Sequence, residues 1–228
     1  MSFYGDHKLA YTSMVTPSLS MSNGKRDVAL IRTLDIVISS LAILALLPLL
    51  ALVALLVFLT NPGPIIFAHS RIGRGGASFP CFKFRSMVTD ADARLAAILA
   101  SDPVSLREWQ TDHKLRNDPR ITPIGKFLRK SSIDELPQLF NVLRGEMSIV
   151  GPRPIVQGEV PRYGRYYADY CKLRPGITGL WQISGRNDVS YRRRVAYDVV
   201  YSRSYSFKLY TQIFVMTVPS VLLAKGSY

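Results

Sequence analysis

The chain has 228 residues, 29 Lys+Arg against 16 Asp+Glu, a formal charge of +13 and a pI near 10.0. That length allows one sizeable domain, or a domain with a membrane segment, and excludes a larger assembly of domains. The charge asks for an anionic partner, whether nucleic acid, acidic lipid or a phosphorylated substrate, and two cysteines, Cys81 and Cys171, are too few for a disulfide framework or a cysteine metal site. Both are expected as buried thiols in a reducing compartment.

In chain order, residues 1–24 are polar and without periodicity, which predicts a poorly ordered tail. Ile36 to Leu59 is a run of 24 residues without a charge, long enough to enter a bilayer. Pro48 divides it into halves of 12 residues, each reaching about 18 Å, enough for one leaflet. Lys25, Arg26 and Arg32 precede the run, and Arg71 and Arg74 follow it. Basic residues on both flanks favour one cytoplasmic side, so the expectation is a re-entrant helix-break-helix over 25–60. A kinked spanning helix fits the apolar run equally well.

Asn61 to Pro64, NPGP, reads as a stop and turn. Ile65 to Ile72 and Phe79 to Met87 read as strands of a hairpin closed by GRGGAS. Period two predicts Phe82 and Phe84 on one face, with Lys83 and Arg85 on the other. Asp90 to Gln110 is helical in composition, with an interruption near Asp102 and Pro103, and Asn117 to Pro123 is loop-like. From Ser132, Leu136, Leu139, Phe140 and Leu143 mark an amphipathic helix that Gly145 stops. Tyr191 to Tyr205 interleaves arginine with tyrosine on a predicted helix, and Phe207 to Leu223 is an apolar helix lying on protein or at the membrane surface. Trp181 is read as core.

Two adjacent carboxylates, Asp134 and Glu135, stand in SSIDELPQLFNVLRGEMSIVGPRP. Ser132 with Glu135 matches a capping box, and Asp134 is an alternative cap. Either register places the pair at a positive helix terminus, which keeps an aspartate ionised and favours phosphate. Pro152 and Pro154 hold Arg153 on a stiff segment, and a preset guanidinium suits phosphate.

SRIGRGG, FKFRSM, SSIDELPQLFNVLRGEMSIVGPRP and RPGITGLWQISGR occur in that order. With these motifs the sequence, from about Lys25 onward, resembles the bacterial sugar transferases of the monotopic phosphoglycosyl transferase family, in their exopolysaccharide-initiating branch. The resemblance implies an α+β fold: a re-entrant membrane hairpin (25–60) and a mostly helical cytosolic catalytic domain (61–228) with a short β-hairpin and amphipathic interfacial helices. It implies an enzyme at the cytoplasmic face of the bacterial inner membrane that moves a sugar 1-phosphate from a UDP-sugar to undecaprenyl phosphate and releases UMP. Mg²⁺ is the implied cofactor and Asp134 the implied nucleophile and metal contact, with Glu135 as its catalytic partner. Lys83, Arg153 and Asp198 (in YDVVY) are implied substrate-site residues. Arg85, Arg174 and Arg186 join them as candidate phosphate contacts. The expected partners are the UDP-sugar, the lipid phosphate and membrane lipid, with no nucleic acid, and a homodimer is compatible. Two other activities fit parts of the pattern: a membrane-anchored basic protein binding acidic lipid or nucleic acid, and a metal-dependent phosphohydrolase.

Overall fold

The computed structural model describes residues 24–112, 115–184 and 189–222. Residues 1–23 of the expected tail, and Arg186, lie outside them. The described chain is helix-rich with two small two-stranded sheets and one long apolar helix, α1, Gly24–Thr60. α1 is a single helix of 37 residues with Pro48 inside it. The expected interruption of helical structure at that proline is therefore not present as a break in the helix.

α1 is apolar outward as well as inward. Only 17% of its most apolar 18-residue window is buried, and Leu41, Leu44, Leu47, Leu52 and Leu55 are exposed. Such a surface excludes an ordinary core helix and suits contact with lipid. The protein covers α1 in two places. Ile31, Asp35 and Ser39 are buried in the first half, and Leu50, Val53 and Val57 in the second.

The hairpin follows the NPGP turn: β1, Ile66–Ile72, pairs antiparallel with β2, Ser78–Phe84. Lys83 lies opposite Phe67, Cys81 opposite His69 and Phe79 opposite Arg71. Cross-strand partners share a face, so Lys83, His69 and Arg71 stand on the face where Phe79 and Cys81 are buried. β2 ends before Arg85, whose buried guanidinium donates instead to the Asn61 carbonyl of the NPGP turn. Cys81 is buried as expected, whereas Cys171 is only half-buried.

α2, Ala91–Ser101, and α3, Pro103–Asp112, meet at the interruption read from Asp102 and Pro103. Next come α4, Pro123–Ser131, and α5, Gln138–Arg144, which ends at Gly145 in the left-handed region, φ 81°. β3, Ser148–Val150, then pairs in parallel with β4, Gly176–Thr178. Two short helices, α6 (Val160–Tyr163) and α7 (Tyr167–Tyr170), fill the crossover. α8, Leu180–Ile183, α9, Tyr191–Arg203, and α10, Phe207–Leu222, complete the described chain. The central core joins Ile31 of α1 to Val142, Ile149, Tyr201, Tyr210 and Ile213. Trp181 is buried, with Arg194 over its ring at 4.8 Å.

β3 and β4 approach where GPRP crosses RPGITG, and both meeting residues are glycine. A Cβ on Gly176 or Gly151 would fall under 3.0 Å from backbone atoms of the other strand. The Gly151 N–H donates to Thr178 O at 2.9 Å and the Gly176 N–H to Pro152 O at 2.8 Å. This close approach explains both glycines and fixes the segment carrying Arg153.

Asp35, on α1 just before the apolar run, is 1% exposed. Its Oδ1 accepts from Ser148 Oγ at 3.1 Å, the Ile149 N–H at 2.9 Å and the Tyr210 hydroxyl at 2.7 Å. Replacement by alanine orphans these buried donors at about 1–3 kcal/mol each. Asp35→Ala should therefore lower the melting temperature of the detergent-solubilised protein by at least about 6 °C. Asp35→Asn, which keeps an acceptor oxygen, should lower it by less than half as much.

Candidate active site

The acid pair sits in an elbow. α4 begins at Thr122, whose hydroxyl accepts from the Gly125 N–H at 3.0 Å, with Pro123 in the first turn. It ends at Ser132 with φ 58°, the one non-glycine residue at positive φ among the described residues. Asp134 and Glu135 then occupy a single 3₁₀ turn, Ile133–Glu135, and α5 starts only after Pro137. Neither register expected from the sequence is realised: Ser132 makes no side-chain cap and Asp134 caps no helix. A serine held in the left-handed region carries backbone strain of about 1–3 kcal/mol, and such strain gathers at functional sites.

Asp134 is buried, 7% exposed. Burial pushes its carboxyl up to about 6, Lys83 pulls it down, the neighbouring Glu135 adds to the rise, and Arg129 of α4 pulls it down again. The helix-terminus placement is thus corrected, and the carboxyl ionises at a higher pH than a helix terminus would give, though still below neutrality. At neutral pH the site still holds a carboxylate, its charge offset by Lys83 and Arg129. Glu135 is tied to Lys83 of β2, Oε1 to Nζ at 2.5 Å. Arg129 Nε donates to Ser86 Oγ at 2.8 Å, and its charge lies within reach of Asp134 and Asp118. Asp118 is itself held by Arg120 through Nε at 2.8 Å and Nη2 at 2.6 Å.

A second cluster forms around Glu159. Its carboxylate lies 3.8 Å from both Arg71 and Arg153, and its Oε2 accepts from the Val156 N–H at 3.0 Å. Asp198, 1% exposed, accepts from the Tyr163 hydroxyl at 2.7 Å and from the Arg153 backbone N–H. Burial pushes Asp198 up to about 7. So deep a carboxyl holds the Arg153 segment in place. The two clusters communicate along the hairpin face: His69, lowered first by burial, feels Arg71, Lys83 and Glu159 together.

Of the residues read from the sequence, Asp134, Glu135 and Lys83 converge. Arg153 and Asp198 form the second cluster, Arg85 is turned away to Asn61, and Arg174 Nε donates to the Gly145 carbonyl at 2.7 Å, elsewhere in the fold. Arg129, Arg71 and Glu159 were missed. Arg71 lies inside SRIGRGG, which marked it as part of a motif, but no spacing links Arg129 or Glu159 to the acid pair.

Ile133 and Leu136, which bracket the acids, pack with Leu50, Val53 and Val57 of α1. The elbow is therefore fastened to the second half of the apolar helix. Residues 26–224 match the profile of bacterial sugar transferases. The chain belongs to that family. It is 49% identical over 197 residues to an exopolysaccharide production protein of Sinorhizobium fredii, a match covering 86% of this chain and 87% of that protein. It is 48% identical over 197 residues to an undecaprenyl-phosphate galactose phosphotransferase of Salmonella typhimurium, covering 86% of this chain and 41% of that longer protein. A UDP-glucose:undecaprenyl-phosphate glucose-1-phosphate transferase of Klebsiella pneumoniae is 37% identical over 202 residues, covering 85% and 40%.

In this sugar transferase the raised Asp134 has a sign that can be measured. Between about pH 4, where the carboxyl of an unfolded chain titrates, and about 6, where the folded one does, the native state holds the extra proton. Stability is lost as pH rises through that window. Without divalent cation, Asp134→Asn should melt above the wild type at pH 8 by the equivalent of about 2 kcal/mol, and the gap should close toward pH 4, as read by thermal unfolding.

Proposed function

We propose that this protein transfers a sugar 1-phosphate from a UDP-sugar to undecaprenyl phosphate at the cytoplasmic face of the inner membrane, as the first membrane step of exopolysaccharide synthesis. The observation that carries it is the placement of a buried, cation-flanked aspartate in an elbow packed on a lipid-compatible helix. The similarity to an undecaprenyl-phosphate galactose phosphotransferase of Salmonella and to a UDP-glucose:undecaprenyl-phosphate glucose-1-phosphate transferase of Klebsiella supports the same donor and acceptor classes.

The membrane seating is part of the proposal. Both halves of α1 pack on one globular body, which is simplest if the helix dips into one leaflet and both of its ends stay on one side. The apolar run lies within one leaflet, bent at Pro48, and residues 61–228 lie on the cytoplasmic surface. Phe127 of α4, 57% exposed beside Lys126 and Lys130, suits the interface between headgroups and acyl chains.

The chemistry runs in two balanced halves. An Asp134 oxygen attacks the phosphorus bearing the sugar, the diphosphate P–O bond breaks, and UMP leaves with that bond's electrons. An oxygen of the lipid phosphate then attacks the same phosphorus, the aspartyl–phosphate bond breaks, and Asp134 returns as a carboxylate. Lys83 and Arg129 offset repulsion between the carboxylate and the anionic diphosphate, and Arg153 with Arg71 supplies positive charge farther along the hairpin face. Asp134 and Glu135 fit Mg²⁺. Among the described residues no group of three or more His, Cys, Asp or Glu gathers, and Mg²⁺ commonly takes one or two carboxylates and completes its shell with substrate phosphate and water. When bound, the ion would neutralise charge on the diphosphate.

Full-length enzyme incubated with UDP-sugar but no lipid acceptor should gain the mass of one sugar phosphate on the peptide containing Asp134. Asp134→Asn should gain none and should lose at least about 1,000-fold in UMP release. Release of free sugar phosphate with no adduct on the wild type would instead identify a phosphohydrolase.

A further inference from the structure

A cavity of about 70 Å³ lies on the far side of the domain from the acid pair, where α1 meets β3 and the segment before β4. Its charged lining is Arg32, Asp35, Arg74, Lys172 and Arg174. Four cations thus face one carboxylate. That carboxylate is already committed, since Asp35 accepts from Ser148, Ile149 and Tyr210. Lys172 is paired with Asp169 at 2.5 Å. Arg32 and Arg174 still feel the Asp35 charge, so three arginines share a single negative charge.

Their donors are also underused. Arg32 donates to the Val142 and Leu143 carbonyls at 2.6 and 2.9 Å, and Arg174 to Gly145 O. A guanidinium carries five N–H donors, so these contacts leave three on Arg32 and four on Arg174. The Arg74 side chain has neither a hydrogen bond nor an ion pair among the described residues. The mutual repulsion is felt: burial pulls Arg174 below the usual arginine range, and Arg32 and Arg74 lower it further. Such an arrangement is favourable once a multivalent anion occupies it. The volume, about 70 Å³, accommodates about five to seven water-sized spheres at about 10–15 Å³ each, room for a phosphate group.

The cavity is separate from the catalytic elbow. Arg74 stands at the tip of the hairpin and Lys83 near its open end. The five residue-to-residue steps of β2 from Ser78 to Lys83 span about 17 Å. Arg32 and Asp35 occupy the turn of α1 immediately before the apolar run. On the proposed seating of α1, that turn lies at headgroup depth.

We propose that Arg32, Arg74 and Arg174 form a second, non-catalytic phosphate site that takes the phosphate of an anionic membrane lipid headgroup. The placement in depth rests on the membrane seating proposed above; the anion site itself does not. Bound phosphate would link α1 to the hairpin tip and to the β4 segment.

The test uses full-length protein in neutral detergent without UDP-sugar, titrated with dihexanoyl phosphatidylglycerol, dihexanoyl phosphatidylcholine or inorganic phosphate. Wild type should bind the phosphatidylglycerol at least tenfold more tightly than Arg74→Gln, and phosphatidylcholine no better than Arg74→Gln does. Arg74→Lys should recover part of the loss. Arg192→Gln, which removes an equal charge from an exposed position, and Lys83→Gln, which removes a cation of the catalytic elbow, should bind within twofold of wild type. Saturation by inorganic phosphate with the same Arg74 dependence, but not by phosphatidylglycerol, supports the site and assigns it to a soluble phosphate. Equal binding by wild type and Arg74→Gln overturns it, as does loss of binding in Lys83→Gln, which would place the anion in the catalytic cleft. Because no sugar transfer is measured, failure of the transferase mechanism leaves this outcome readable.

Discussion

A single carboxylate oxygen ties the long apolar helix to the body of the fold. Asp35 sits at the boundary between the polar start of α1 and its apolar run, and its Oδ1 receives donors from the start of β3 and from α10. A buried acid is unfavourable unless its lone pairs are used, and here three donors use them. This fixes the rotation and height of α1 against the domain. Every statement about how the elbow meets the lipid-facing helix depends on that register, because Ile133 and Leu136 touch α1 about four turns farther along.

The domain then works as a frame around a short β-hairpin. One face of the hairpin carries Lys83, His69 and Arg71 in a row, and elements from elsewhere bring carboxylates to that row: Glu135 from the elbow at one end, Glu159 from the crossover segment at the other. Arg153 reaches the second carboxylate because GPRP is pinned by two glycines that let β3 and β4 touch. Backbone geometry, ion pairs between elements and the packing of the elbow on α1 fix the parts of the site.

Much of this was legible in the sequence where the signal was local. The hairpin followed from two strand-like runs around glycines, the split between α2 and α3 from Pro103, and the stop of α5 from Gly145. The charge-free run announced α1, although Pro48 bends no break into the helical assignment. What failed was local pattern overruled by tertiary demand. SSIDEL looks like a helix start, but Ser132 adopts φ 58° and turns the chain, so the acids fall in a 3₁₀ turn. Arg85 looked like a second phosphate cation because it alternates with Lys83, yet the strand ends one residue too early and the guanidinium secures the NPGP turn. Arg129 and Glu159 were invisible because their roles exist only once separate elements meet. Burial of Asp134, the source of its raised carboxyl, is a property of packing that no spacing encodes.

The bond network at Asp35 also imposes an order on biosynthesis. Its three partners lie 113, 114 and 175 residues downstream, so α1 leaves the ribosome long before any of them exists. During that interval the greasy helix can settle in lipid while its terminal acid stays hydrated at the surface. Only when the last helix emerges does the hydroxyl of Tyr210 close the lock. Chains that stop before Tyr210 would carry α1 without the donor that completes this network, which makes α10 its latch.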